Sequence, residues 1–419
     1  MDDTPRRSPT TRWIVGMSVL GAVSLGWLAV RVVNVTWHRT QLDFSVYLMG
    51  AHHLVDGRLY TAHLANSTHL PFTYPPVAAL VFGPLALLTT QAAELAWAVV
   101  NILSLYAVLV LSLHAARPGT DRVRLCLLSL VLLGPSFLLD PVRLTFYFGQ
   151  VNLILCALIL GDLTTTVRVG SRTLPRGVLL GVAAAVKLIP LVFVPYLFVT
   201  RQVRAAWTAL ASFVVCSVLA GALDPRVSWQ YWTKYATDSS RVGVPYFYLD
   251  QSLQGALDRV AHTVESPLVV DALGAVVVVA GIALARWAWK DSSPLLGILV
   301  CATTGMVASP ITWEHHLVWA VPILVWLALA PDRPPAGWAW AVAGAFVLWW
   351  APLERVPSVG TAELHERGWT LPAASSSFLF LVAFLAGVTI LLAVRRRTRP
   401  PDRSVSDPRP ATTSVGAAT

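Results

Sequence analysis

Charge is what this chain has least of. Asp, Glu, Lys and Arg make up 13% of its 419 residues, against roughly 25% in soluble proteins. Too few charges exist to clothe a water-soluble surface of that size. Cysteine is also sparse. Cys126, Cys156, Cys216 and Cys301 each sit inside an apolar run and form no CxxC pair. That excludes a disulfide scaffold and a thiolate metal cluster, and the four read as small buried hydrophobes. There is no P-loop, no GxGxxG and no Asp-x-Asp motif within a soluble domain, which disfavours a nucleotide or nucleotide-sugar donor. Strict apolar–polar alternation is missing, which excludes a transmembrane β-barrel. No internal repeat is visible.

What the chain has instead is long apolar runs. Hydrophobic residues make up 56% of it, and mean hydropathy is +0.63. Many runs reach the ~20 residues that cross a hydrocarbon core, where only helices pair their own backbone polar groups without closing into a barrel. The expected fold is an all-α polytopic membrane protein with about 10–12 transmembrane helices. Spans are expected near 13–33, 75–88, 91–114, 123–140, 150–167, 177–199, 204–222, 266–288, 293–308, 315–330, 336–352 and 375–394. The segment 75–88 is short and carries Pro75, Pro76 and Pro84; 177–199 is broken at Lys187-Leu188-Ile189-Pro190. Prolines bend or end helices, so either segment is a half-helix, a re-entrant element or a crossing.

Of the net charge of +9, +4 sits in the C-terminal tail, where six Arg face Asp402 and Asp407. Arg6, Arg7 and Arg12 precede the first span, and Arg395, Arg396, Arg397, Arg399, Arg403 and Arg409 follow the last. Basic flanks place both termini in the cytoplasm and favour contact with anionic membrane lipids; they give no reason to expect nucleic acid. Twelve crossings would leave Arg117, Arg122, Arg124, Arg168, Arg172 and Arg176 outside, against the positive-inside rule. Making both short segments re-entrant removes the conflict. Either way 34–74, 223–265 and 309–315 face outward. The expected division is a basic cytoplasmic N-terminus (1–12), a transmembrane catalytic domain (13–394) with long outer loops at 34–74 and 223–265, and a disordered basic tail (395–419).

Several polar residues stand out against this background. Asp43 follows the first span and opens a run with helical spacing, Phe44, Tyr47, Leu48, Ala51, Leu54 and Val55, which reads as an interfacial amphipathic helix. Asp43 is either the N-cap of that helix or a general base at the membrane surface. Pro71 to Pro76, with Tyr74, is a stiff entry to the next segment. Arg143, Gln150 and Asn152 make a junction polar enough for a sugar or phosphate, or serve as helix-end caps. Lys187 lies deep in an apolar run, where lysine costs about 2.5–3.5 kcal/mol. Such a residue is kept for a partner, an anion or a cavity. Asp250-Gln251-Ser252 is a cap or reaches a substrate. Glu314, His315 and His316, between Trp313 and Trp319, are an interfacial collar or a phosphate site.

Together these stretches resemble the family-87 glycosyltransferases, actinobacterial polyprenyl-phosphate-mannose-dependent α-mannosyltransferases of the GT-C fold. The resemblance rests on Asp43 to Tyr47, Leu70 to Pro76, Gly149 to Asn152, Val186 to Pro190, Asp250 to Ser252 and Ser309 to His316, in family order. It implies a membrane hexosyltransferase of cell-envelope biosynthesis; no cofactor is expected, and the chemistry does not require a metal. Mannose would pass from a β-linked polyprenyl-phosphate mannose to a lipid-anchored mannoside, a phosphatidylinositol mannoside or lipomannan. Inversion would yield an α linkage, α-(1→2) as in similar proteins. Asp43 would be the catalytic base. Lys187, His315, His316 and Arg143 would bind the donor phosphate, and Tyr47, Tyr74, Gln150, Asn152, Gln251 and Glu314 the substrates. The implied place is the plasma membrane, multi-pass, with the active site on the outer, periplasmic face. Ile189 and Asp250 depart from the family pattern, which bears on the acceptor more than on the reaction. Two other readings are an arabinofuranosyl- or other glycosyltransferase with a different polyprenyl-phosphate donor, and a lipid or sugar transporter built around Lys187.

Overall fold

The computed structural model describes residues 9–38, 41–66, 68–358 and 360–398. The N-terminus through Ser8 and the tail from Arg399 lie outside these residues, including most of the segment expected to be disordered. The protein is an all-α integral membrane protein with one small addition, an antiparallel hairpin pairing Arg168–Val169 with Arg172–Thr173. Among the described residues, five helices are long and apolar enough to cross a membrane: Thr10–His38, Thr90–Ala116, Val203–Leu223, Pro267–Asp291 and Ser376–Thr398. Arg122–Phe137 and Asp140–Phe148 make a sixth candidate, bent by 80°. By length and composition the count is therefore below the 10–12 expected. Much of the remaining apolar sequence forms shorter helices, among them Asn152–Thr164, Pro294–Ala308 and Gly337–Trp350.

The two short segments do not cross. Pro76–Phe82 is followed by a tight turn, Leu85–Leu87. Phe82 then packs on Tyr47 and also on Trp97, near the start of the next long helix. Phe82, in the middle of the segment, is thus held between the helix that bears Asp43 and the long helix that follows. The segment 177–199 divides at Lys187, whose backbone is extended, into Val178–Val186, Ile189–Val192 and Phe193–Val199. Arg176 before it donates to Gln202 after it (3.2 Å), so the chain returns to the side it left.

One end of the bundle gathers the basic loops. Arg124 lies over the Trp13 ring, Arg117 donates to the Leu329 carbonyl and Arg286 to that of Val199. Arg395 ties the last helix to Ser292 and Asp332. The arginines that conflicted with the positive-inside rule therefore share an end with Trp13 and Arg395. Arg395 to Arg397 continue the last helix rather than opening a disordered tail, and the first helix begins at Pro9 rather than residue 13.

Lipid-facing and packed surfaces divide as the bilayer requires. The first helix exposes Val19, Val23 and Val30, where lipid replaces water. Pro267–Asp291 and Pro294–Ala308 approach closely because Gly281 leaves room for Thr304; a Cβ there would lie 2.1 Å from the threonine hydroxyl. Small residues permit such contact where no hydrophobic drive exists between helices.

Candidate active site

The end opposite the basic loops is built from the segments 34–74, 223–265 and 309–315. Leu42–His52 is packed within the protein on most of its surface. It buries Phe44, Val46, Tyr47, Leu48 and Gly50. Phe44 stacks on Trp97 (5.6 Å) and Tyr47 on Phe82 (4.3 Å). Gln41 occupies the N-cap position, and Asp43 is the second residue of the helix. The cap reading of Asp43 is therefore corrected: its carboxylate accepts from Gln150 Nε2 at 2.6 Å.

Gln150 gets there through a backbone reversal. Asp140–Phe148 ends at Gly149 in the left-handed region (φ 70°). A Cβ at that position would lie 2.6 Å from Phe44 Cβ and 2.7 Å from Gln41 Oε1. Trp97 Nε1 donates to the Gly149 carbonyl at 2.7 Å, so the turn is held from both sides. Gly149→Ala combines a left-handed penalty with that overlap. We expect catalytic activity at least about tenfold lower with the protein still folded, since sub-ångström positioning governs rate. Normal kinetics in the variant would show that the turn does not position Gln150.

From Gln150 the hydrogen bonds run on. Tyr47 OH donates to Gln150 Oε1 (2.8 Å) and lies 3.0 Å from the Tyr74 hydroxyl. Asn152 Nδ2 donates to the carbonyl of His315 (3.0 Å), and Lys187 Nζ donates to Asn152 Oδ1 (3.0 Å). Lys187 Nζ also donates to His316 Nε2 (2.8 Å), which places the proton of a neutral imidazole on Nδ1. An ammonium has three donors, so one is left for a ligand. The Lys187 ammonium stands 5.5 Å from the centre of the Tyr74 ring. Asp43, Tyr47, Tyr74, Gln150, Asn152, Lys187 and His316, separated by up to 273 positions along the chain, thus form one connected group. His315 joins through its backbone and packs between Phe148 and His316. Burial raises the Asp43 carboxyl to about 6, against the Gln150 hydrogen bond and the Lys187 charge, which both lower it.

Tyr74, Lys187 and His316 line a cavity of about 280 Å³. Asp43 is partly exposed and stands outside that lining, three hydrogen bonds from Lys187 through Gln150 and Asn152. The lining also carries Trp313 and three groups that sequence reasoning missed, Arg241, Tyr235 and Asp238. No local signal marked Arg241, which is one of four basic residues in 223–265 with Arg226, Lys234 and Arg259.

Three expected ligands lie elsewhere. Arg143 pairs with Asp140 and Glu354, so its charge is already matched. Gln251 is fully buried. Its amide donates to the carbonyls of Tyr248 and Ala374 and accepts from Phe378 N–H, stitching the second long loop to the start of the last helix. Glu314, also fully buried, accepts from the Ser377 hydroxyl (3.0 Å). Asp250 accepts from Ser252 and from Thr312 N–H (2.7 Å), and burial lifts its carboxyl to about 7. These residues join loops by polar contacts and keep the His segment in place.

A family model described as glycosyltransferase family 87 matches residues 72–310, more than half of the chain. The chain belongs to glycosyltransferase family 87. This is a GT-C family, and the protein is a glycosyltransferase. The matched stretch includes Tyr74, Gln150, Asn152 and Lys187 and leaves Asp43 and the His pair outside. Alignments with relatives extend further. The chain is 33% identical over 392 residues to the polyprenol-phosphate-mannose-dependent alpha-(1-2)-phosphatidylinositol mannoside mannosyltransferase of Mycobacterium tuberculosis, covering 89% of this chain and 90% of that one. It is 31% identical to the protein of the same description in Mycolicibacterium smegmatis, covering 96% and 94%. It is 32% identical to a Mycobacterium tuberculosis alpha-(1-2)-phosphatidylinositol pentamannoside mannosyltransferase, covering 85% and 82%. No solved structure matches this family 87 chain.

Proposed function

We propose that this protein transfers mannose from polyprenyl-phosphate mannose to a lipid-anchored mannoside of the phosphatidylinositol mannoside class, forming an α-(1→2) linkage with inversion. The observation that carries the reading is the hydrogen-bonded link from one carboxylate, Asp43, to one ammonium, Lys187, beside a cavity. The names of relatives over most of the chain support the sugar and the linkage.

An acceptor hydroxyl is a poor nucleophile, so a base takes its proton as the new bond forms. Asp43 has that role. The hydroxyl oxygen bonds to C1 of mannose, the C1–O bond to phosphate breaks, and its electron pair leaves with the phosphate. Lys187 and His316 meet the growing charge as donors held in place before reaction. His315 packs behind His316 and holds its ring. Gln150 and Asn152 stand between base and cation, where a sugar placed for in-line displacement would lie. Tyr47 and Tyr74 keep Gln150 oriented.

The test is direct. Purified protein is given polyprenyl-phosphate mannose and phosphatidylinositol mannosides, and the linkage of the product is mapped. Absence of transfer, or transfer only from another polyprenyl-phosphate sugar, overturns the proposal.

The reaction is assigned to the outer face of the plasma membrane, because the site end lies opposite the basic end. With the four native cysteines replaced by serine, Thr68→Cys is expected to react with an impermeant maleimide in intact cells. Thr398→Cys is expected to react only after permeabilisation. Reversed labelling would invert the assigned orientation.

A further inference from the structure

The cavity that holds Lys187 also holds a second cation. Arg241 comes from the second outer loop and lines the same 280 Å³ space as Lys187 and His316. Its guanidinium lies over the Tyr235 ring, 4.4 Å from the centre. Nη2 donates to the Tyr60 carbonyl at 2.7 Å. Nε is buried and meets no acceptor. Among the described residues no carboxylate forms an ion pair with Arg241: Asp238, on the same wall, accepts instead from Ser240. Stacking and one carbonyl therefore fix the position of a guanidinium whose charge the protein leaves unmatched. Arginine presents five donors in a planar fork suited to phosphate.

The proposed reaction supplies an anion of changing charge. The donor is a phosphodiester with one negative charge. When the C1–O bond breaks, its electron pair goes to the phosphate and the acceptor proton to Asp43. The leaving group is then a phosphate monoester that carries one more negative charge. Lys187 alone matches the donor; a second cation matches the leaving group. We propose that Arg241 is the second phosphate-binding cation of this cavity, acting with Lys187 on the donor phosphate and more strongly on the leaving monoester. This rests on the reading of the donor given above.

The experiment compares wild type, Arg241→Met and Arg241→Lys. It measures KM for polyprenyl-phosphate mannose, KM for the acceptor, kcat, and inhibition by polyprenyl phosphate. In Arg241→Met we expect donor KM about tenfold higher and the inhibition constant of polyprenyl phosphate about 100-fold higher, the range expected for a lost charge-assisted bond. Acceptor KM is expected to stay unchanged. A purely structural role would shift the two constants equally, and that result overturns the assignment. A rise in acceptor KM alone also overturns it, since Arg241 would then serve the acceptor's phosphate. Arg241→Lys keeps the charge and guards against misfolding of the Met variant: both constants should lie between those of wild type and Arg241→Met. Lys constants no better than those of a folded Met variant would refute a charge role. A wild type inactive with this donor would instead refute the donor reading.

Discussion

Asp43→Asn is expected to lower the rate of mannose transfer by at least about 100-fold, because general-base help is worth roughly 10²–10⁴-fold. The substitution preserves size, and its amide oxygen still accepts from Gln150 Nε2, which lies 2.6 Å from the carboxylate. Helix capping is not at stake, since Gln41 holds the cap position and no side chain caps that end. Stability should therefore change little while proton acceptance is abolished. The pH profile supplies a second signature. Burial, opposed by Gln150 and Lys187, raises the carboxyl to about 6. A base works only when ionised, so activity is present above that value and is lost as pH falls through it. Wild-type kcat/KM should fall about tenfold per unit as pH drops well below about 6. The Asn variant should lose that limb. A folded Asp43→Asn protein with near wild-type turnover would remove the central mechanistic claim.

Lys187→Met is expected to cost about 10²–10³-fold in kcat/KM, the range for a donor that meets charge developing in the transition state. Met fills similar space and leaves the cavity wall apolar. Asn152 Oδ1 and His316 Nε2 would each lose a hydrogen bond now about 3 Å long, which destabilises. Removing a desolvated charge acts in the opposite direction, so folding should survive. Lys187→Arg should rescue only part of the loss, because a planar fork cannot replace a compact ammonium between those two acceptors. Full activity in a folded Lys187→Met protein would leave Arg241 and His316 as the phosphate donors and exclude Lys187. The cost of Lys187 within its apolar run would then need another explanation.

Asp43, Lys187 and His316 were visible as candidates because each is a polar residue where the sequence is otherwise apolar. Arg143, Gln251 and Glu314 carried the same signal for a different reason. They bridge loops and helix ends, and a buried polar bridge looks in sequence just like a buried ligand. Arg241 was overlooked because one arginine in a loop has no local signature; its stacking on Tyr235 exists only in three dimensions.

The membrane class, the helical composition and the places where the chain breaks follow from the sequence alone, because run length, charge scarcity and proline act locally. Whether a broken segment crosses or returns was decided by tertiary contacts, Phe82 with Trp97 and Arg176 with Gln202. The site was decided there too. Residues 43, 150, 152, 187 and 316 meet because the left-handed turn at Gly149, the extended break at Lys187 and the packing of Phe44 on Trp97 set their relative positions. Such positions depend on contacts between segments far apart in the chain, and no local preference encodes them.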